Sequence, residues 1–229
     1  MHLSPDAVVV WSVGGLHLTL TVVTTWGVMG LLAVAAWALG HRLGSGQDLG
    51  AGQNALEILV GGLRDQIAAV GLRDAETFLP FVGTLFVYIA ASNVLTILPG
   101  YEAPTASLST TAALAACVFV AVPFYGILTR GLRAYLATYL EPTPFMLPFN
   151  LVGELSRTLA LAVRLFGNAM SGGLVAAIVL ALAPLFFPVV FKALELLTGL
   201  VQAYIFSVLA CVYIAAATQA GETFLPDND

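Results

Sequence analysis

Two apolar runs, residues 149 to 183 and 188 to 219, are separated only by Pro184, Leu185, Phe186, Phe187 and Pro188. Proline removes a backbone donor and clashes with the preceding turn, so this stretch divides one helix from the next. At 1.5 Å per residue each run makes a helix roughly 50 Å long, well beyond the ~30 Å of bilayer hydrocarbon. Such a pair must lean through a membrane as a long, strongly tilted hairpin. Residues 17 to 39, 77 to 98 and 109 to 129 are three further apolar runs, each near the ~20 residues that cross a bilayer once. The expected fold is therefore an all-α polytopic membrane protein with five passes.

Composition supports the membrane setting. Hydrophobic residues make up 59% of the chain and charged ones 9%, and the mean hydropathy is +0.95. A soluble domain of this length could not carry that surface without large exposed apolar patches. Thirteen acids against eight Lys and Arg give a net charge of -5 with no basic run, so no nucleic-acid partner is expected. Cys117 and Cys211 lie in apolar segments, where a thiol acts as a small hydrophobe, and neither a disulfide framework nor a metal motif is indicated. The first eighteen residues have no basic n-region or cleavage site, so no cleaved signal peptide is expected.

The basic residues orient the passes. Arg42, Arg64, Arg73, Arg130 and Arg133 fall in the connections after the first and third spans, whereas 99 to 108 has none, which puts the N-terminus outside and the C-terminus inside. Between the first two spans, residues 54 to 74 mix apolar positions with Glu57, Arg64, Asp65, Arg73 and Asp74, the pattern of an amphipathic helix at the inner interface. A soluble loop helix is the alternative. The glycines of residues 39 to 53 follow an apolar helix rather than a strand and read as a flexible connector, not a nucleotide loop.

Arg164 stands inside the fourth apolar run. A permanent charge at membrane depth costs roughly 3 to 10 kcal/mol, so a chain that keeps one there uses it, and an ion path is the natural use. Arg157, Leu161, Arg164, Asn168 and Ser171 follow at steps of three or four, forming one helical stripe. On the last run Glu195 and Gln202 are seven residues apart with Thr198 and Gly199 between them, a second stripe that an antiparallel hairpin can set beside the first. Ala160, Gly167, Gly172 and Gly173 reduce bulk and allow a partner helix to approach. Other readings stay open: Asn168 and Gln202 as hydrogen bonds within the chain, and Arg164 as a salt bridge with Glu154 or Glu195. A stand-alone secondary transporter would show paired repeats, which residues 77 to 130 and 149 to 219 do not. An intramembrane hydrolase would need a nucleophile or metal motif, yet no HExxH or GxSxG is present, and His2, His17 and His41 all lie near the start.

The run RLFGN (Arg164 to Asn168), preceded by Glu154 and Arg157 and followed by VQAYIF (Val201 to Phe206), resembles the F-type ATP synthase subunit a family. Residues 79 to 100 and 104 to 115 are similar to that family's second and third spans, so the resemblance covers roughly 77 to 220, and 1 to 76 match only in layout. It implies one membrane domain over 1 to 229: an N-terminal span and interfacial helix (1 to 76), two further spans (77 to 130) and the tilted hairpin carrying the ion path (149 to 220). The implied function is non-catalytic: two aqueous half-channels carry protons to and from the carboxylates of a c-subunit ring and couple the gradient to rotation, with Na+ as the alternative ion. Implied partners are that ring, the b subunits of the peripheral stalk, other synthase subunits and lipid, in a bacterial cytoplasmic (inner) membrane, with no cofactor.

The resemblance also implies residue roles. Arg164 would be the essential arginine facing the ring, Gln202 its neighbour, and Asn168 part of the path. Many bacterial members carry Glu and His where this chain has Gly173 and Glu195. The half-channel carboxylate is then Glu195, as in mitochondrial members. The acid common before the second-span proline is Thr96 here, beside Ser92 and Asn93, so the inlet rests on neutral groups such as Asn93, on Glu102, or on water. Arg157, Ser171, Thr198 and Glu154 are further path-lining candidates.

Overall fold

The structure, a computed structural model, describes residues 9–13, 16–42, 51–72, 74–98, 101–140, 145–182 and 187–219. Five helices among the described residues are long and apolar enough to cross a membrane: α1 (Leu20–Arg42), α3 (Ala75–Val94), α4 (Leu108–Arg130), α6 (Met146–Leu182) and α7 (Phe187–Gln219). They match the five expected spans to within a few residues. A 3-10 turn, Leu95–Ile97, prolongs α3, and a second, Pro104–Ala106, precedes α4.

Three details differ from expectation. The first span begins at Leu20, because Leu16–Thr19 (β2) pairs antiparallel with Val9–Val13 (β1), Val9 opposite Thr19 and Val13 opposite Leu16. Short β-rich runs around Gly14-Gly15 carry a hairpin signal that the apolar run had masked. The last span begins earlier than expected: Phe187 and Pro188 already belong to the first turn of α7, where a missing N–H is no loss, and Ala183 to Phe186 lie outside the described residues. The connection after the third span holds a further helix, α5 (Leu132–Leu140).

Gly131 makes α5 possible. Its φ of 82° closes α4, its N–H donating to the Ile127 carbonyl at 2.8 Å, and Tyr135 then folds back onto Gly126. A Cβ at Gly126 would meet the Tyr135 ring at 2.6 and 2.7 Å. Gly126→Val is therefore expected to reduce, severalfold, the chain recovered in assembled complex, and Tyr135→Ala in the same chain should restore it. Quantitative blotting of membranes checks both.

The core is shared by α3, α4, α6 and α7: Val82 and Ile89, Val118, Leu161 and Leu165, Phe206 and Ile214 are each 1% exposed or less. Lipid is as apolar as leucine, so packing and polar ties hold such helices together rather than escape from water. Gly199 on α7 is one close approach, where an added Cβ would lie 2.8 Å from Asn93 Cγ on α3. Hydroxyls turn back into their own helices, Ser92 onto the Tyr88 carbonyl at 2.7 Å and Ser207 onto Ala203 at 2.9 Å, which satisfies them without water.

The expected amphipathic helix is α2 (Ala51–Ala69), with Leu63 and Ile67 buried and Glu57, Arg64 and Asp65 exposed. Arg64 pairs with Glu76 in the first turn of α3. Two polar clasps reach α7: the Tyr204 hydroxyl donates to Gln66 Oε1 at 2.7 Å, and Gln219 Nε2 donates to the Gly71 carbonyl at 2.6 Å.

Candidate ion-translocation site

Arg164 lies midway along α6, eighteen residues from Met146 and eighteen from Leu182. It is exposed on the outer face of the bundle and makes no ion pair among the described residues. The suggested salt bridges with Glu154 or Glu195 are not formed. Arg157, Ala160, Gly167 and Ser171 share this outward face, and a Cβ at Gly167 would meet nothing within 4 Å. Leu161, placed in the same stripe from sequence spacing, instead turns inward and is fully buried. At 100° per residue it stands about 40° round from Arg157, just across the edge of the buried sector.

The two long helices pack antiparallel. Arg157 Cζ sits 5.9 Å from the centre of the Tyr213 ring, a cation–π contact. Fifteen residues further along α6, an added Cβ at Gly172 would lie 2.7 Å from Glu195 Cγ. Glycine at 172 is thus what seats the Glu195 side chain between the helices. Glu195 Oε2 accepts from Lys192 Nζ at 3.1 Å, an i,i+3 ion pair whose carboxylate side is only 16% exposed.

A cavity of about 720 Å³ lies beside this seat. It gathers four sequence candidates, Asn93, Glu102, Asn168 and Glu195, and adds Lys192, Thr96 and Tyr101 to its wall. Its position between the α3–α4 connection and the hairpin end of α6 and α7 gives it one polar end. Asn93 is fixed from three sides: its Nδ2 donates to the Gly199 carbonyl at 3.1 Å, Thr105 donates to its Oδ1 at 3.5 Å, and Thr96 donates to its carbonyl at 2.7 Å. Burial, reinforced by Tyr88, pushes the Tyr101 phenol up to about 12, so it stays neutral at working pH.

The remaining candidates stand outside that cavity's wall. Ser171 and Thr198 donate to the carbonyls of Asn168 and Glu195 at 3.1 and 3.0 Å, spending their hydroxyls on their own helices. Glu154 is half-buried on α6, its carbonyl accepting from Thr158 at 3.0 Å. Gln202 does not share an open stripe with Thr198. It is 6% exposed, and its Nε2 has no hydrogen-bond partner among the described residues. A buried donor left alone costs about 1–3 kcal/mol. In the sequence, Lys192 stands three residues before Glu195, and Gly172 reads only as a small residue. The i,i+3 spacing to Glu195 was the readable signal for the first, and nothing in one sequence marks the second.

Five membrane-long helices define an integral membrane protein, with an arginine at mid-helix that makes no ion pair among the described residues and a cavity lined by Glu102 and Glu195. The chain belongs to the ATP synthase A chain family, whose model matches residues 22–215. It is 60% identical to ATP synthase subunit a 1 of Chlorobaculum parvum, over 97% of this chain and 98% of that one. Similar relatives are ATP synthase subunit a 2 of Acaryochloris marina, 53% identical over 97% of this chain and 95% of that one, and ATP synthase subunit a of Albidiferax ferrireducens, 57% identical over 96% and 95%.

Proposed function

We propose that the chain is the non-catalytic, proton-translocating stator subunit of an F-type ATP synthase, with Arg164 as its central charge. The observation that carries this is the exposed, unpaired guanidinium at the midpoint of α6, level with Gln202 to Phe206 of α7 and one cavity away from Glu195. A ring of c subunits, each with a membrane-buried carboxylate, supplies what Arg164 lacks. The b subunits hold the complex as a peripheral stalk, and the whole chain acts as one membrane domain in the cytoplasmic (inner) membrane, N-terminus outside and C-terminus inside.

The steps follow from electrostatics. A ring carboxylate facing lipid stays protonated, because burying its charge is costly. Beside Arg164 the opposite charge favours release, and the proton leaves through a half-channel open to one face. Reprotonation comes from a second half-channel at the other face. The cavity lined by Glu195, Asn168, Asn93 and Glu102 serves as the outer one, since it opens beside the basic-free α3–α4 connection. Arg164 keeps a proton from passing straight between the two, because any cation would meet its charge in a low dielectric. Gln202, with its orphaned amide, completes the arginine's surroundings, and the outward Arg157 over Tyr213 marks the inner end of the hairpin. About 2.3 kcal/mol is available per charge per 100 mV, so several protons must pass for each ATP.

Glu195→Gln tests the relay. It is expected to slow passive proton conduction through the membrane sector and to change its dependence on pH, with assembly intact. If conduction per assembled complex is unaltered from pH 6 to 9, Glu195 only neutralises Lys192 and the relay fails.

A further inference from the structure

We propose, resting on the relay role of Glu195, that Asn93 is a positioning residue for ion translocation: its amide pins α7 at Gly199 and so sets the direction in which Glu195 and Gln202 point. Asn93 is the last residue but one of α3 and is 7% exposed. Its Nδ2 donates to the Gly199 carbonyl at 3.1 Å, and the Thr105 hydroxyl donates to its Oδ1 at 3.5 Å. The carbonyl can only accept, so the amide nitrogen must face α7 and the amide oxygen is left for Thr105. An aliphatic side chain of the same size offers neither. Gly199 admits the contact, since an added Cβ there would lie 2.8 Å from Asn93 Cγ and 2.9 Å from its Cβ. A helix carbonyl keeps a second lone pair beyond its own helical bond, so α7 accepts the tie without unwinding.

The tie falls between the two α7 residues that the proposed path uses. Gly199 follows Glu195 by four residues and precedes Gln202 by three. At 3.6 residues per turn the three stand within a sector of about 60° and along roughly 10 Å of helix. Apolar packing fixes how closely α7 approaches α3. A directional bond to one backbone atom also fixes the rotation and height of α7 at that point. Thr105 carries the constraint outward: it is fully buried in the 3-10 turn Pro104–Ala106, three residues after Glu102. One amide thus joins the connection that bears Glu102 to the helix that bears Glu195, the two carboxylates on the cavity wall. Asn93 shapes that wall and holds its parts in register, while Glu195 handles the ion.

The test is a double-mutant cycle in the assembled synthase. Asn93→Leu is expected to lower passive proton conduction per assembled complex about tenfold, the scale set by a displacement of about 1 Å. In a Glu195→Gln background the same change should add less than about twofold, because the group that Asn93 positions is already gone. Gly199→Ala presses on the same contact from the other side and should behave like Asn93→Leu, so it carries the test if no Asn93 variant assembles. A second readout does not depend on conduction. With Gln202→Cys in place, a small water-soluble maleimide should label the new thiol severalfold faster once Asn93→Leu or Gly199→Ala is added. Fragment mass spectrometry locates the label, and Cys211, 1% exposed on the same helix, is the unlabelled reference. If Glu195→Gln alone leaves conduction unaltered, the relay falls and the labelling still decides the positioning role. Effects of Asn93→Leu and Glu195→Gln that multiply, or an unchanged labelling rate at 202, overturn the proposal while the relay stands. So does a loss of assembly with conduction per assembled complex unaltered, which would make the tie a structural bond alone.

Discussion

Arg164→Ala is expected to abolish ATP-driven proton pumping while the chain stays in an assembled complex. The side chain is exposed, pairs with no acid and packs into no core, so its removal leaves the bundle's interior untouched. On the proposed reading, what goes is the opposite charge beside the ring. A charge within about 4–6 Å moves a carboxylate's proton equilibrium by roughly 1–3 units, a factor of 10 to 1000, and without it the ring carboxylate keeps its proton. The same loss removes the barrier between the half-channels, so passive leak should rise as pumping falls. Arg164→Lys should also fail largely, since an ammonium lacks the planar fork and gives up its proton more readily when desolvated. Acidification of inverted membrane vesicles on ATP addition, with blotting for assembly, decides the matter. Coupled pumping by an assembled Arg164→Ala complex would sink the assignment.

Gly172→Ala should separate sharply from its neighbour Gly173→Ala. At 172 the new methyl would lie 2.7 Å from Glu195 Cγ, 3.2 Å from its Cδ and 3.4 Å from Oε1, whereas at 173 nothing lies within 4 Å. The Glu195 side chain must leave its seat, carrying its carboxylate away from the cavity wall and from Lys192. With Glu195 as the proposed relay, a displacement of about 1 Å can lower a rate up to about a hundredfold, so proton conduction per assembled complex should drop about tenfold or more. Gly173→Ala should conduct like the wild type, and both variants should assemble. If the two behave alike, Glu195 is not held by that glycine.

The helices were readable because bilayer thickness sets a minimum apolar length that no soluble element imitates, and α3, α4, α6 and α7 fall within a few residues of expectation. The β1–β2 hairpin and α5 escaped for the same reason, being short pieces that membrane length does not select. Side-chain facing was only half readable. Spacing put Arg157, Leu161, Arg164, Asn168 and Ser171 in one sector about 80° wide, yet the boundary between bundle and surroundings runs through that sector and leaves Leu161 inside. A periodic pattern gives the direction of a stripe, but only the neighbouring helices decide which flank they cover. The cavity was partly legible, through Glu195, Asn168, Asn93 and Glu102. The tie between Asn93 and Gly199 was not, because it joins residues 106 apart through a backbone carbonyl.

The two clasps between the α2 region and α7 bear on what a motor's fixed half must withstand. Tyr204 and Gln219 grip Gln66 and Gly71 at points separated by fifteen residues of α7, roughly 22 Å of helix. They add to the core packing and the Asn93–Gly199 tie that already hold α7. The grips spread sideways drag along the helix into α2 at Gln66 and into the turn after it at Gly71, and Arg64 and Glu76 in turn brace α2 against α3. Rigidity in the hairpin is then borrowed in part from α2, a helix that is not one of the five spans.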